Sequence, residues 1–357
     1  MKRLQSIETI AEQLLDRAIQ LKASDIHIIP RHTGPLIQFR VENRFFPYRM
    51  VKLHHAERLI SHFKFLSGMD IGEKRRPQNG SMTYACGDLS IGLRFSSLPA
   101  AGSETLVIRI LPHDAILPIE QLALFPSTAR KIVALLQHSH GLFLTCGPTG
   151  SGKTTTLYSL LHYANQLSSR NIITLEDPIE KVSSDVLQVQ INEKAGISYS
   201  VGLKAALRHD PDVIMVGEIR DAETAQIAVR AAMTGHLILS TMHTRNAEGA
   251  IYRLMEFGVS MTEIRQTLIA VAAQRLVELS CPICRPVCSP YCDYSRRKKR
   301  AGVFELLYGK ELETVLSKQE GGSDEQSFRL LKDEIKKAYA LGYVCEEEYR
   351  RWNFVDS

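Results

Sequence analysis

No apolar run in the 357-residue chain reaches the roughly 20 residues that cross a bilayer, so no membrane-spanning segment is expected. The amino terminus, Met1-Lys2-Arg3-Leu4, leads into an amphipathic helical pattern, not the layout of a secretory signal, and the protein is expected in the cytosol. No repeat period and no low-complexity tract is present. Charge of one sign is in only mild excess, +5 net. That suits weak attraction to acidic partners or a membrane surface without demanding nucleic acid. The basic residues are not interleaved with aromatics, as a single-strand platform would require. Hydrophobic residues at 44% and charged residues at 23% are ordinary for a globular chain, here long enough for two or three domains. The 7 cysteines are expected to be reduced in the cytosol, so clustered ones point to metal before disulfide.

What is present centres on Gly147-Pro148-Thr149-Gly150-Ser151-Gly152-Lys153-Thr154, a complete G-x-x-x-x-G-K-[ST] motif. Leu142 to Cys146 before it reads as a short buried strand. Leu157, Leu160, Leu161 and Ala164 after it have helical spacing. Strand, loop and helix are the context in which backbone N–H groups and a helix N-terminus cradle phosphates. Lys153 is placed to reach the β- and γ-phosphates and the Thr154 hydroxyl to serve Mg²⁺, with Gly147 to Thr155 as the candidate ATP-binding residues. The motif identifies a chain that binds a nucleoside triphosphate.

Ahead of this motif, residues 4–22 read as a helix, Asp25 to Pro30 and Leu36 to Val41 as strands, and 54–67 as a second helix. Pro77 to Gly80 gives a turn signal, and Leu89 to Phe95 and Thr105 to Leu111 two further strands. Residues 1–111 are thus a small α+β domain and 112–125 a linker. A helix within 122–137 has Ser127 as candidate N-cap. The nucleotide domain, 126–280, continues with a strand that delivers Glu176-Asp177-Pro178-Ile179-Glu180 at its C-terminal end, where open parallel sheets bind ligands. Val186 to Ile191 is a further strand and Val201 to Leu207 a helix.

Asp210 to Asp221 has the apolar core and acidic far end of a Walker B strand, but Gly217 stands where the usual Asp would be and Glu218 follows. Glu218 is read as polarising the attacking water or holding Mg²⁺ through water, against the alternative of a surface carboxylate. His236 and His243 bracket the next buried strand. His243 is read either as a γ-phosphate contact or as a structural histidine. Residues 261–279 read as a helix. Cys281, Cys284, Cys288 and Cys292 open with C-x-x-C and are candidate ligands for Zn²⁺, or free thiols. The basic run Arg296 to Arg300 closes the 281–300 segment and is a candidate contact for acidic lipid, nucleic acid or protein, or a solvated loop. Gln319 to Gln326 reads as a flexible linker, and 301–357 as a helical region ending in two short helices.

Taken together these motifs resemble the secretion and type IV pilus motor ATPases, a RecA-like group. The likeness spans nearly the whole chain. It rests on Ala23-Ser24-Asp25-Ile26-His27-Ile28, Arg75 to Gly80, and Arg94 and Arg109 flanking Leu98-Pro99. In the nucleotide domain it rests on the P-loop, Leu175 to Glu180, Gly217-Glu218-Ile219-Arg220-Asp221, and Thr234-Gly235-His236 through Thr241-Met242-His243-Thr244. The missing Walker B Asp is a habit of that family.

The resemblance implies an α/β fold: a RecA-like P-loop NTPase domain, a smaller N-terminal α+β (PAS-like) domain and a helical C-terminal tail. It implies a homo-hexameric ring with ATP and Mg²⁺ at the clefts between domains. Arg94 and Arg109 would swing from the N-terminal domain to the phosphates as the cleft closes. Glu218 would be the catalytic carboxylate, Glu176 would assist at water or Mg²⁺, and Arg208 is a candidate subunit-interface contact. The implied partner is an inner-membrane platform protein of a pilus-like assembly machine, with peripheral association at the inner face of the membrane and no direct nucleic-acid binding. The chain is short beside larger secretion ATPases, lacking their extra N-terminal domain, and keeps a cysteine cluster that retraction motors generally lack. That points to an assembly motor for a competence pseudopilus used in DNA uptake. The alternatives are a secretion or pilus ATPase acting on another filament, or a nucleic-acid translocase. A P-loop kinase would need a lid-like arginine-rich insert, which is absent. If the four clustered cysteines close around zinc, metal analysis of the purified protein reads close to one ion per chain; less than about a tenth of an ion rules out a structural site.

Overall fold

The computed structural model describes residues 6–31, 34–41, 44–87, 89–100, 103–111, 116–167, 170–183, 185–284, 300–319 and 328–353. They fall into two units, Met1–Ala115 and Ile116–Ser357. In the first unit, helix α1 (Ile7–Gln20) starts where the Ser6 hydroxyl accepts from the Thr9 N–H, relieving one of the unpaired donors of a helix start. Strands β1 (Asp25–Ile29), β2 (Leu36–Val41) and β3 (Arg44–Met50) follow, then helix α2 (Leu53–Leu66) and strands β4 (Gln78–Cys86), β5 (Leu89–Ala100) and β6 (Ser103–Ile110). They form one sheet in the order β3-β2-β1-β6-β5-β4, antiparallel throughout. Alternation places Ile26, Ile28, Phe39, Leu93, Phe95 and Ile108 in the core with the apolar stripes of α1 and α2. Asp25, Arg40, Arg94 and Arg109, one residue out of phase, belong to the opposite face.

The second unit begins with α3 (Ile119–Leu122) and α4 (Pro126–Leu135). Then come β7 (Gly141–Cys146), α5 (Lys153–Leu167), β8 (Ile172–Glu176), β9 (Leu187–Gln190), α6 (Tyr199–Ala206), β10 (Val213–Val216), α7 (Ala222–Met233) and β11 (Leu237–Met242). The unit closes with α8 (Ala247–Glu256), α9 (Met261–Thr267), β12 (Leu268–Glu278), β13 (Arg300–Tyr308), α10 (Gly309–Gln319), α11 (Leu331–Ala340) and α12 (Glu346–Asn353). The sheet order is β13-β12-β7-β11-β10-β8-β9, parallel except for β13 against β12. Its central strands are apolar on both faces because both faces are covered. In β7, Leu142, Leu144 and Cys146 join the core under α7 and α8, while Phe143 joins the core under α4 and α5.

Several expectations are corrected here. The helix expected over 261–279 stops at Thr267, and Leu268–Glu278 is strand β12. Its run of Ala, Val and Leu mimics helical spacing because the strand lies between two others and buries both faces. Residues 301–308, expected in a helical region, belong to the edge strand β13. Ser127 is not a cap: α4 begins at Pro126, with Phe125 at the N-cap position, and the fixed φ of proline suits the first helical turn. Half of the expected linker is ordered structure: Ile119 in α3 is buried and Ala123 bridges to Gly302. Gln78-Asn79-Gly80, read as a turn, opens strand β4. Cys288, Cys292 and most of the basic run lie outside the described residues, as does nearly all of the 319–326 linker.

Glu305 on β13 ties the carboxyl-terminal helices to this sheet. It is 2% exposed; its Oε1 accepts from the Ala247 N–H at the start of α8 and its Oε2 from the Leu331 N–H at the start of α11, both at 2.8 Å. A buried carboxylate at two helix N-termini satisfies orphan donors and complements both dipoles. Glu305→Ala is expected to lower unfolding stability by roughly 2–4 kcal/mol, through two buried N–H groups left unpaired. In a thermal melt this reads as a fall of about 5–10 °C.

Candidate functional site

The site is built at the carboxyl ends of β7, β8, β10 and β11. Their register sets Cys146 opposite Met242, and Val216 opposite both Ser240 and Leu175. Glu176, Glu218, His243 and the P-loop therefore leave the sheet along one edge. The loop itself is closed against β12. A Cβ on Gly147 would lie 2.6 Å from the Gln274 carbonyl oxygen and 2.7 Å from Ser151 Oγ, and the residue has φ +149°, so only glycine fits. Thr156 on α5 donates to the Gln274 side-chain oxygen at 2.9 Å, anchoring the helix that carries the loop. Arg275, 3% exposed, donates to the Gln274 and Arg245 carbonyls at 3.0 and 2.6 Å and lies 5.8 Å from the Trp352 ring centroid.

Lys153 is the first residue of α5. Its ammonium donates to the carbonyls of Gly147 (2.9 Å) and Pro148 (3.1 Å), inside the loop that would carry phosphate. Burial lowers its pKa, against the opposing pull of Cys146 and Glu218. Thr154 is half-buried and Thr155 exposed on the same first turn.

The two carboxylates are held differently. Glu176 is 3% exposed and accepts at both oxygens: from Thr174 Oγ1 (2.6 Å) and Gln188 Nε2 (3.0 Å) on one, and from the Tyr158 hydroxyl on the other. Glu218 is more open. Arg220 donates to its Oε1, and His243 Nε2 lies 3.5 Å from its Oε2. Burial, then the Lys153 ammonium, push the His243 pKa down despite Glu218, which favours the neutral ring. Lys153, Glu218 and His243 thus form one electrostatic cluster. A neutral imidazole and a carboxylate beside a phosphate-binding ammonium can orient water and stabilise charge in phosphoryl transfer.

Gly217 explains the missing Walker B Asp. A Cβ there would fall 2.7 Å from the Tyr199 hydroxyl and 3.1 Å from the Leu175 carbonyl oxygen. Tyr199 occupies the space, and its phenol pKa is raised by burial, with Glu218 and Asp177 adding to the effect.

A comparison with protein families matches residues 1–351 to the type II/IV secretion system proteins. The chain belongs to that family. It is 55% identical over 350 residues to "Competence protein ComGA" of Bacillus subtilis, covering 98% of each chain. It is 40% identical to "Type II secretion system protein E" of Dickeya dadantii, covering 82% of this chain and 64% of that one. Among solved structures, the pilus retraction motor PilT with bound ADP aligns over 97% of this chain and 96% of its own, with 28% identity and TM-score 0.72. The Legionella pneumophila ATPase DotB, at 21% identity and TM-score 0.75, shares the fold over the full chain. The resemblance drawn from the motifs and the comparisons agree.

In this secretion-family chain some expected residues lie elsewhere. His236 precedes the first residue of β11, at the opposite end of a six-residue strand spanning roughly 20 Å, and its Nδ1 bonds the Ala231 carbonyl at 3.0 Å. It closes the turn after α7 and has no part in the phosphate edge. Arg208 also lies at that far edge, exposed, in the turn after α6, donating to the Lys204 carbonyl of that helix at 3.0 Å. Arg94 and Arg109 belong to the N-terminal unit, where they are direct cross-strand partners. Asp25 pairs in register with both Arg109 and Arg40, and its Oδ1 accepts from Arg109 Nε at 2.8 Å. Three arginines and one carboxylate therefore form a single row across the sheet face. Cys281 and Cys284 are half-buried in a turn. Among the described residues no group of three or more metal-binding side chains occurs, the other two expected ligands lying outside them.

Motif reading missed Tyr158, Thr174, Gln188 and Tyr199. Only Thr174 and Gln188 carried a signal, as polar residues in otherwise apolar or alternating strands. The Gly217 geometry is testable. Gly217→Ala is expected to cost about 1–3 kcal/mol in chemical unfolding. Adding Tyr199→Phe, which removes the hydroxyl, is expected to restore most of the loss.

Proposed function

We propose that this chain is the ATP-hydrolysing motor that assembles a type IV pilus-like competence filament for DNA uptake. The observation that carries the reading is the Lys153–Glu218–His243 cluster beside a complete P-loop, in a chain 55% identical along 98% of its length to a competence protein. Lys153 leaves its loop carbonyls for the β- and γ-phosphate oxygens. Glu218, held by Arg220 and facing His243, orients the attacking water. Neutral His243 accepts or donates one hydrogen bond at the γ-phosphate edge as charge shifts toward the leaving oxygen. The hydroxyl of Thr154 and the carboxylate of Glu218 are oxygen donors suited to Mg²⁺, which when bound neutralises phosphate charge.

The row of Arg94 and Arg109 supplies further cations for the phosphates. Asp25 holds Arg109 within that row. The motor works as a homo-hexamer in the cytoplasm, at the inner face of the membrane, against an inner-membrane platform protein. No helix among the described residues is long and apolar enough to cross a membrane.

Lys153→Ala is expected to abolish nucleotide binding or hydrolysis, and Glu218→Gln to keep ATP binding while removing turnover. Cells carrying either variant at normal levels should lose surface filaments and DNA uptake together. Filaments that form normally while uptake fails would move the activity to a later step, on the DNA itself. Unchanged turnover in Glu218→Gln would sink its catalytic assignment.

A further inference from the structure

Tyr158 is a buried hydroxyl for which the hydrolysis scheme above has no use. It lies on α5 five residues after Lys153 and is 3% exposed. A phenol has one proton to give and two lone pairs to accept with, and all three capacities are engaged. The proton is donated to Glu176 Oε2, while the oxygen accepts from the backbone N–H groups of Glu180 (3.3 Å) and Lys181 (3.1 Å). The loop after β8 is held at a second point by Gln188. Its Nε2 donates to the Lys181 carbonyl at 2.8 Å as well as to Glu176, and its Oε1 accepts from the Ser183 N–H at 2.8 Å.

One hydroxyl thus joins three parts of the site: the helix that begins with the phosphate-binding lysine, the Glu176 carboxylate, and the loop 177–181. Burial and the adjacent Glu176 charge raise the phenol pKa well above its usual range, so the proton stays on Tyr158. Helix α5 begins at Lys153 of the P-loop motif, so the loop and Tyr158 share one element. A small displacement of α5 when phosphate replaces the carbonyl partners of Lys153 is carried through this bond to the carboxylate, because a buried hydrogen bond to a charged group is costly to break.

We infer that Tyr158 is a positioning residue for hydrolysis, setting the orientation of Glu176 and its loop in response to occupancy of the P-loop. The inference rests on the ATPase reading and on a role for Glu176 in turnover.

The test is steady-state ATP turnover of the full-length chain beside direct binding of a fluorescent ATP analogue. Tyr158→Phe keeps the ring and removes the hydroxyl. It is expected to leave analogue affinity and KM within about twofold while kcat falls by about tenfold or more, the split that marks an interaction made in the transition state. Glu176→Gln should lower kcat as well, and the double variant should be no slower than Glu176→Gln alone. Residues acting through one another give non-additive losses. A general loss of packing would instead multiply, and multiplied losses overturn the proposal. Should Tyr158→Phe melt at the assay temperature, 3-fluorotyrosine at position 158 keeps the shape and strengthens the donor. A kcat unchanged by that replacement overturns the proposal, and a kcat altered at least about twofold at constant KM supports it. A wild-type chain that turns over ATP beside an equally fast Tyr158→Phe chain overturns this inference alone. A wild-type chain with no turnover overturns the ATPase reading and this inference together.

Discussion

Strand β7 is hydrogen-bonded on both edges, to β11 and to β12, with side chains buried on both faces. Everything at the site depends on that constraint. A strand with no free edge and no free face cannot slide without breaking its ladders, so the point at which the chain leaves the sheet at Gly147 is set. Parallel pairing propagates the level across the sheet to β10 and β8. Residues nearly 100 positions apart thus meet along one edge, and phosphate chemistry becomes a property of strand ends.

Electrostatics then sorts the acidic groups. Glu176 is enclosed by neutral donors, Glu218 stands against a guanidinium and an imidazole, and Glu305 faces two helix starts. Burying a charge is costly unless it is well bonded, so each carboxylate has a distinct set of partners that fixes what it can do. The enclosed one is oriented by its three donors, the open one can exchange partners, and the third joins the sheet to helices far along the chain. The same logic applies in the N-terminal unit, where Asp25 sits between Arg40 and Arg109 in the cross-strand row.

The nucleotide site was legible in the sequence wherever its chemistry is local. The P-loop, the Glu176 and Glu218 strand ends and His243 are each written within a few residues, and the strand–loop–helix context is visible beside them. Other features depend on pairing across long separations. The arginine row exists only through the register of four strands, and the bond from Tyr158 to Glu176 spans 18 positions. Strand β12 was mistaken for a helix because a strand buried on both faces loses the alternation that would mark it. The sequence marks His236 and His243 at the two ends of one strand, and the structure sets only His243 at the end that carries the loop.

The contact between Gly217 and Tyr199 also bears on how this site can change through mutation. The position that holds an acidic residue in ordinary Walker B strands is here closed by a phenol. An Asp at 217 would set its Cβ against the Tyr199 hydroxyl. The alternative acidic arrangement therefore calls for a change at Tyr199 as well as at Gly217, so the two positions are coupled as a pair.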